Sequence, residues 1–263
     1  MRWYGTCFTV AFVLGYIIMK KIFAQENIPV RQLNRLTAYI ALGTIVGARL
    51  GHCLFYEPAY FLQNPVEMFF PVARNSQGAW HFIGYQGLAS HGAALGILSA
   101  LYLFSRIERL PYIRILDRIV IVVALSGFFI RMGNLMNSEI FGVPTGLPWG
   151  FEFVRSSEWY KPEINQQPCH PTQIYEAIAY LAIFVWLHRT YFKNSEKLYP
   201  GTLLGMFWVS VFTARFLIEF LKINQVEFEG KMMLLNMGQL LSIPFILCGI
   251  YLLIRQRNPT KER

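Results

Sequence analysis

Long apolar runs alternate with short polar segments along the whole of this 263-residue chain. A membrane-spanning helix requires about 20 mostly apolar residues, and the chain has seven stretches of roughly that kind. They are Trp3–Phe23, Leu36–Tyr56, Gly84–Phe104, Ile115–Arg131, Gln173–Arg189, Gly201–Leu221 and Asn236–Arg255. The pattern predicts an all-α polytopic membrane protein in which residues 1–263 form a single integral membrane domain.

The composition supports a membrane environment. The chain is 54% hydrophobic and only 15% charged, whereas soluble domains average about 45–50% apolar and about 25% charged residues. The formal net charge is +9, but the basic residues are scattered between apolar runs and form no stripe. This distribution argues against a nucleic-acid partner and favours membrane lipid.

The cysteines indicate neither a disulfide framework nor a metal site. Cys7, Cys53 and Cys248 lie inside apolar runs, which leaves Cys169 without an obvious partner. The spacing of Cys and His residues has no zinc pattern. No metal or cofactor is therefore expected.

The basic residues predict the orientation, because cytoplasmic loops are enriched in Lys and Arg. With seven spans, fifteen of the 24 Lys and Arg residues fall on the side of the C-terminus and six on the other side. The N-terminus is thus expected outside and the C-terminus in the cytoplasm. The two longer loops, Glu57–Ile83 and Met132–Thr172, then face outward, and we expect them to form a small cap.

Several ionisable residues interrupt the apolar runs, where each costs at least about 2.5–3.5 kcal/mol on insertion scales. They are Arg49, His91, Arg131, Glu176, Arg215 and Glu219. With the predicted orientation, all of them fall in the outer half of the bilayer. This common depth is typical of an active site open to one leaflet, and it is not expected of a path that crosses the membrane.

Simpler interpretations exist for each of these residues. Arg131 could stabilise the C-terminal end of its helix, with Gly133 ending that helix. Arg215 and Glu219, spaced four residues apart, could form a plain ion pair. His91, beside Gly92, could be a packing histidine.

Two further alternatives concern the neighbouring polar residues. Arg49 lies among the small residues Gly47, Ala48 and Gly51, so it suits an anchor between helices as well as a ligand group. Cys169 and His170 are unpromising as a nucleophilic dyad, because adjacent side chains seldom face each other.

Taken together, the arginines, the histidine and the nearby amides predict a site for an anionic ligand. The arginine fork matches a phosphate group, and an anion reached from the outer leaflet is most simply a phospholipid headgroup. Two rival classes remain. A lipid or solute transporter would place polar residues on both sides of the midplane, often in repeated halves, and a non-catalytic assembly protein would use the buried charges only for packing.

Seven short motifs, in order and spread over nearly the whole chain, resemble the prolipoprotein diacylglyceryl transferase family. They are WYG at 3–5, GARLG at 47–51, SHG at 90–92, RMGNLMNSEIFG at 131–142, HPTQIYE at 170–176, ARFLIEF at 214–220 and MGQLLSIP at 237–244. The family usually has glycine where this chain has Ala48 and Ala93. It also usually carries a further segment before WYG, so the resemblance implies a truncated start.

The resemblance implies a reaction. In this family a diacylglyceryl group passes from phosphatidylglycerol to the thiol of the lipobox cysteine in a prolipoprotein signal peptide, and glycerol 1-phosphate leaves. This is the first step of lipoprotein maturation, in the bacterial inner membrane, and it implies no metal or cofactor.

The chemistry of that reaction suggests roles for the matching residues. Departure of a phosphate ester concentrates negative charge, which Arg131 and Arg215 would stabilise in the transition state. Asn134 and Asn137 would donate hydrogen bonds, and Glu139 and Glu219 would orient the arginines. Gly142 belongs to the same substrate-binding block. Structural or supporting roles are expected for Arg49, His170, Glu176 and Gln239.

The nucleophile is the thiol of the protein substrate, and only its thiolate attacks well. His91 is the first candidate for the base that accepts the thiol proton, and His170 is the second. The arginines alone could also favour the thiolate. Tyr4 is expected either to hydrogen-bond the headgroup or to belong to the aromatic belt at the membrane surface.

Overall fold

The computed structural model describes residues 3–70, 72–74, 79–82, 87, 89–223 and 235–255. These ranges contain the helices α1 Trp3–Gln25, α2 Val30–Phe55, α3 Pro58–Gln63, α4 Pro65–Phe69, α5 Ser90–Glu108, α6 Tyr112–Met136, α7 Thr172–Asn194, α8 Thr202–Ile218 and α9 Met237–Arg255. Short 3-10 helices lie between these α-helices, at Ser157–Tyr160, Ser195–Lys197 and Glu219–Leu221. Strands β1 Val72–Arg74 and β2 Trp80–Phe82 pair antiparallel, with Val72 opposite Phe82.

Each predicted span coincides with a long helix. By length and composition alone, four helical segments in the described ranges could cross a membrane: Trp3–Gln25, Val30–Phe55, Thr202–Leu221 and Met237–Arg255. An all-helical, multi-pass membrane protein is therefore confirmed, whereas the count of seven spans stays a prediction. Ionisable residues along α6 and α7, such as Asp117 and Glu176, lower the mean hydropathy of those two helices.

The ends of several predicted spans differ from the helices, and the third and fourth spans are examples. The third prediction began at Gly84, but α5 begins at Ser90, and residues 84–86 and 88 lie outside the described residues. The fourth prediction ended at Arg131, but α6 continues to Met136. The polar residues after Arg131 therefore begin while the chain is still helical.

The chain divides into two compact units, of which Phe23–Ile115 is one. In this unit α2 packs closely against α5, because glycines face each other across the contact. A Cβ atom on Gly51 would lie 2.6 Å from Cα of Gly92, and one on Gly43 would lie 2.7 Å from the Gly96 carbonyl oxygen. The first long loop folds within the same unit as α3, α4 and the β1–β2 pair.

The other unit comprises Met1–Ile22 and Leu116–Arg263. Here α8 packs against α9, with the rings of Phe212 and Phe245 stacked at 4.3 Å. The buried Asp117 carboxylate of α6 accepts hydrogen bonds from the backbone N–H groups of Gly201 (2.6 Å) and Leu204 (2.8 Å). Asp117 thus satisfies amides that the first turn of α8 leaves without helical partners.

The second long loop has a small apolar core of its own in this unit. Its buried members are Phe141, Phe153, Trp159, Ile164 and Cys169. Phe141 and Phe153 stack with their ring centroids 4.5 Å apart, and the backbone of Phe151 pairs with that of Cys169. The two long loops are folded segments, but they belong to different units, and an outward cap made by both stays a prediction.

Candidate functional site

A fully buried carboxylate, Glu176 of α7, is at the centre of a cluster of charged side chains. Its Oε2 lies 2.8 Å from Nε of Arg131, and its Oε1 accepts a hydrogen bond of 3.0 Å from Nζ of Lys222. Among the described residues Oε2 has no aligned hydrogen-bond donor, so its contact with Arg131 is an ion pair and not a two-point hydrogen-bonded fork. Glu176 therefore links cations from two different segments.

Lys222 extends the cluster to a second buried carboxylate. Its Nζ also lies 3.3 Å from Oε2 of Glu219, and both side chains are only about 5% exposed. Buried charges are tolerated when they are paired, and here cation and anion alternate from Arg131 through Glu176 and Lys222 to Glu219. Together with Arg215, the five groups carry a formal charge of +1.

The end of α6 positions Arg131 and the amides that follow it. The N–H of Glu139 donates to the Asn134 carbonyl (2.9 Å) and the N–H of Ser138 to the Leu135 carbonyl (3.0 Å). Ser138 has φ 58°. This is a Schellman ending with a left-handed residue after the helix, so Gly133 does not end the helix.

The amides after Arg131 converge on Glu139. Nδ2 of Asn134 donates to Oε2 of Glu139 (3.2 Å), and Nδ2 of Asn137 donates to Oε1 (3.0 Å). Arg131 joins this group only by a long 3.4 Å contact from Nη1 to Oδ1 of Asn134. Glu139 therefore orders the two asparagines, and the carboxylate that contacts Arg131 is Glu176.

The start of α7 holds this turn in a strained conformation. Ile140 has φ 58°, which is unusual for a β-branched residue. Nε2 of Gln173 donates to the Glu139 carbonyl (2.6 Å), and the Thr172 hydroxyl donates to the Ile140 carbonyl (3.0 Å). Strain of this kind persists only where neighbouring contacts impose it, and it is common at functional sites.

Gly142 allows three segments to meet. A Cβ atom there would lie 2.8 Å from Cβ of His170 and 2.8 Å from Cγ2 of Thr172, and it would overlap the Leu221 carbonyl oxygen. Gly142 also forms an antiparallel bridge with Lys222. The missing side chain thus brings Lys222 to the start of α7, where Glu176 lies one turn further on.

Arg215 of α8 is a cation for which the described residues supply no carboxylate partner. In the described part of the chain it forms no ion pair, since Glu219 pairs with Lys222 instead. The plain Arg215–Glu219 pair considered above is therefore not formed. Arg215 lies one turn before Glu219, and its charge, like that of Arg131, reaches the buried Tyr180 side chain.

Tyr4 of α1 packs against the end of α6. A Cβ atom on Gly133 would lie 2.9 Å from Cδ2 of the Tyr4 ring and 3.4 Å from its Cα. Gly133 thus admits α1 against the last turns of α6. Gly133 is two positions after Arg131 in the chain, and Tyr4 remains 37% exposed.

The start of α9 supports Glu219. Asn236 and Gln239 form a capping box, in which Gln239 N–H donates to Asn236 Oδ1 (2.9 Å) and Asn236 N–H donates to Gln239 Oε1 (3.1 Å). Nδ2 of Asn236 also donates to the Glu219 carbonyl (3.2 Å). A Cβ atom on Gly238 would lie 2.5 Å from Cδ of Glu219, so the helix start rests directly on that carboxylate.

His170 organises the loop before α7. Its carbonyl accepts the N–H of Gly142 (2.8 Å), and its Nδ1 lies 3.2 Å from the Tyr175 hydroxyl, which also accepts a hydrogen bond from Nε1 of Trp149. Neighbouring Cys169 is fully buried, and burial raises the pKa of its thiol to about 11. A thiol with that pKa is a poor nucleophile at neutral pH.

His91 and Arg49 lie in the other compact unit. His91 is exposed and is the second residue of α5. Arg49 is buried, and it donates from Nε to the Met68 carbonyl (3.2 Å) and from Nη2 to the Glu67 carbonyl (2.5 Å), with its guanidinium 4.8 Å from the Phe61 ring. Arg49 thereby fastens α4 to α2, in keeping with the anchoring alternative.

Sequence reasoning missed Lys222 and Tyr180. The span count assigned Lys222 to an outer loop, yet its position three residues after Glu219 is a spacing at which helical side chains meet. Tyr180 lies four residues after Glu176, so it follows the same face of α7. No group of three or more His, Cys, Asp or Glu side chains in the described ranges could hold a metal ion.

The helices and this cluster define a multi-pass membrane protein with a partly buried cationic site. The family model described as prolipoprotein diacylglyceryl transferase matches residues 1–255. A phosphatidylglycerol–prolipoprotein diacylglyceryl transferase of Porphyromonas gingivalis is 45% identical over 99% of this chain and 91% of its own length. Proteins of the same name from Bacteroides fragilis (95% and 87%) and Chloroherpeton thalassium (97% and 88%) are each 42% identical.

The chain therefore belongs to the prolipoprotein diacylglyceryl transferase family. The family and the transferase class expected from the seven motifs are confirmed.

Proposed function

We propose that this chain transfers the diacylglyceryl group of phosphatidylglycerol to the lipobox cysteine of prolipoproteins and releases glycerol 1-phosphate. The names of its relatives contain both substrates, phosphatidylglycerol and prolipoprotein. The observation that carries the proposal is the buried chain of ion pairs from Arg131 through Glu176 and Lys222 to Glu219. Arg215, one turn before Glu219, adds a positive charge that no carboxylate of the described residues neutralises. An uncompensated guanidinium at such a cluster favours a bound phosphate.

Arg131 contacts Glu176 without a two-point fork, which suits it to bind the leaving group. Its Nε faces Oε2 of Glu176. In the proposed complex its terminal nitrogens donate to phosphate oxygens, and Nη1 gives up its long contact with Asn134. In the reaction a C–O bond at the glyceryl carbon breaks and a C–S bond forms. The electron pair of the C–O bond goes to the phosphate ester, and Arg131 and Arg215 stabilise that charge as it develops.

Asn134 and Asn137 complete the polar wall beside Arg131. In the proposed complex their amides donate to the glycerol phosphate, and Glu139 fixes their orientation through the two hydrogen bonds it accepts. Tyr4 approaches the same group from α1. Glu219 acts indirectly, because its carboxylate contacts Lys222 and not a phosphate-binding arginine.

The proton of the substrate thiol needs an acceptor. We assign this role to His91, on its residue type and its position in the Ser-His-Gly motif at the exposed start of α5. A positioned histidine contributes about 10²–10⁴-fold to a proton-transfer step. His170 is less suited, because its Nδ1 already interacts with Tyr175.

The topology belongs to the same proposal. Seven spans would place the N-terminus outside and the C-terminus in the cytoplasm of a bacterial inner membrane, with the loops at 57–83 and 132–172 facing outward as a cap. A fluorescent protein fused to the C-terminus should then be bright, and alkaline phosphatase fused there should be inactive. The reverse pair of results would contradict the orientation.

The function is tested with purified protein in vesicles that contain phosphatidylglycerol and a lipobox peptide. We expect a mass increase of one diacylglyceryl group on the peptide cysteine and release of glycerol 1-phosphate in equal amount. A peptide with serine in place of the cysteine is the control and should stay unmodified. If the protein is folded and no mass increase occurs, the proposal is wrong.

A further inference from the structure

We infer that Lys222 is a positioning residue that keeps Arg131 available for the phosphate, an inference that rests on the proposed function. The starting observation is the division of Glu176 between two cations. Lys222 takes Oε1 at 3.0 Å, and Arg131 approaches Oε2 with its Nε at 2.8 Å and forms no hydrogen bond with Oε1.

This division is unusual for a buried arginine and carboxylate. The two groups prefer a two-point fork, in which two guanidinium nitrogens donate to two carboxylate oxygens. Such a fork would occupy one terminal nitrogen of Arg131 and neutralise its charge more completely. Lys222 prevents it, because its ammonium group fills the position at Oε1.

The fold holds Lys222 where it can do this. Its backbone bridges Gly142, and its Nζ is fixed from the other side by Oε2 of Glu219 at 3.3 Å. Glu219 is in turn covered by Gly238 of α9. Lys222 is therefore held between two carboxylates with almost no freedom to move away from Glu176.

The charge balance leads to the same assignment. Without Lys222, two buried carboxylates would face Arg131 and Arg215, and the formal charge of the cluster would fall from +1 to zero. The attraction for an anionic headgroup would drop even if every other side chain stayed in place. Lys222 thus acts on the phosphate through Arg131 and through the local field, and it need not touch the substrate.

The test compares Lys222→Met with Lys222→Arg in the vesicle assay, with Lys161→Met as the matched control because Lys161 is exposed in the same unit. We expect Lys222→Met to lower kcat at least tenfold and to raise KM for phosphatidylglycerol, with KM for the peptide unchanged. Lys222→Arg, which keeps a donor for Oε1, should stay within about threefold of the unchanged protein. Lys161→Met should equal it.

A double variant separates positioning from packing. Lys222→Met with Glu176→Gln removes the carboxylate that would fork with Arg131, so it should be at least threefold more active than Lys222→Met alone. A structure of Lys222→Met should have a terminal nitrogen of Arg131 within hydrogen-bond distance of Oε1.

Failure of the proposed function and failure of this inference give different results. If the unchanged protein transfers no lipid, the proposed function fails. If it is active and Lys222→Met matches it in kcat and KM, this inference fails. It also fails if Lys222→Met and Lys222→Arg lose activity equally, with equally lowered melting temperatures and no recovery in the double variant, since Lys222 would then serve packing only.

Discussion

Arg131 and Glu176, which are 45 positions apart in the chain, meet with Nε and Oε2 separated by 2.8 Å. The first is in the last turns of α6 and the second in the first turns of α7. The 35 residues between the two helices fold back through Gly142 so that the two side chains face each other.

Replacing Arg131 with alanine should abolish most of the transfer. Loss of one donor that stabilises developing charge typically costs about 10²–10³-fold in kcat, and we expect at least a hundredfold fall in kcat/KM in the vesicle assay. The variant should also be less stable, because the buried Glu176 carboxylate would keep only Lys222 as a cation partner. Arg155→Ala is the control, since Arg155 is exposed on the same loop; equal activity of the two variants would refute the role of Arg131.

Arg215→Ala should lower transfer activity strongly while it leaves the stability of the protein almost unchanged. Within the described residues Arg215 has no ion pair to lose, so we expect a melting temperature within about 2–4 °C of the unchanged protein, the shift that roughly 1 kcal/mol produces in a chain of this size. Transfer should nevertheless fall at least a hundredfold, because the second guanidinium for the phosphate is gone. Full activity of this variant would leave Arg215 without the role we assign.

Gly142→Ala should damage the site without touching any charged residue. The new Cβ would lie 2.8 Å from side-chain atoms of His170 and Thr172, so the chain around Gly142 would have to move away from Leu221 and Lys222. Overpacking of this kind typically costs about 1–3 kcal/mol, and we expect a lower melting temperature with a tenfold or larger loss of transfer. Gly146→Ala is the matched control, because a Cβ there meets nothing within 4 Å.

His91→Ala is expected to lower kcat by about 10²-fold or more, since a positioned base contributes at least that much. The loss should shrink as the pH rises toward about 8.5, the pKa of a free thiol, because the substrate then supplies its own thiolate. The pH profile of kcat for the variant and the unchanged protein measures this. Undiminished activity below pH 7 would exclude His91 as the base.

Cys169 should be unreactive in the native protein and should make stability fall in alkaline solution. Its pKa is raised by burial from 9.0 to about 11, so between these values the unfolded thiol loses its proton and the native thiol keeps it. The contribution of this group to stability is therefore complete below pH 9 and is lost as the pH rises toward 11. Melting temperatures of the unchanged protein and Cys169→Ala should converge over that range, and parallel curves would contradict this.

Much of the fold follows from local pattern. Apolar runs of about 20 residues each became a helix, because a backbone surrounded by lipid must satisfy its hydrogen bonds within the segment. The ends were less predictable. One alternative had Gly133 ending α6, yet Gly133 contacts Tyr4, and the left-handed position after the helix belongs to Ser138.

The candidate site was predictable as a set of residue types but not as a set of pairs. Arg131, Arg215, Glu219 and the asparagines were conspicuous, because charged and amide groups are costly in apolar surroundings. Which carboxylate meets which cation depended on contacts between distant segments. Glu139 was expected to orient an arginine but orders two asparagines, and Glu219 was expected to pair with Arg215 but contacts Lys222.

The order of apolar and polar residues by itself determined the helices, the membrane setting and the family, since each depends on neighbours in the chain or on short motifs. Only the tertiary structure decided that Lys222, which the span count assigned to an outer loop, is buried and hydrogen-bonded to Oε1 of Glu176. That choice depends on the close approach at Gly142 and on the support of Glu219 by α9. Such contacts form between segments that are far apart in the chain, so they cannot be predicted from a local sequence pattern.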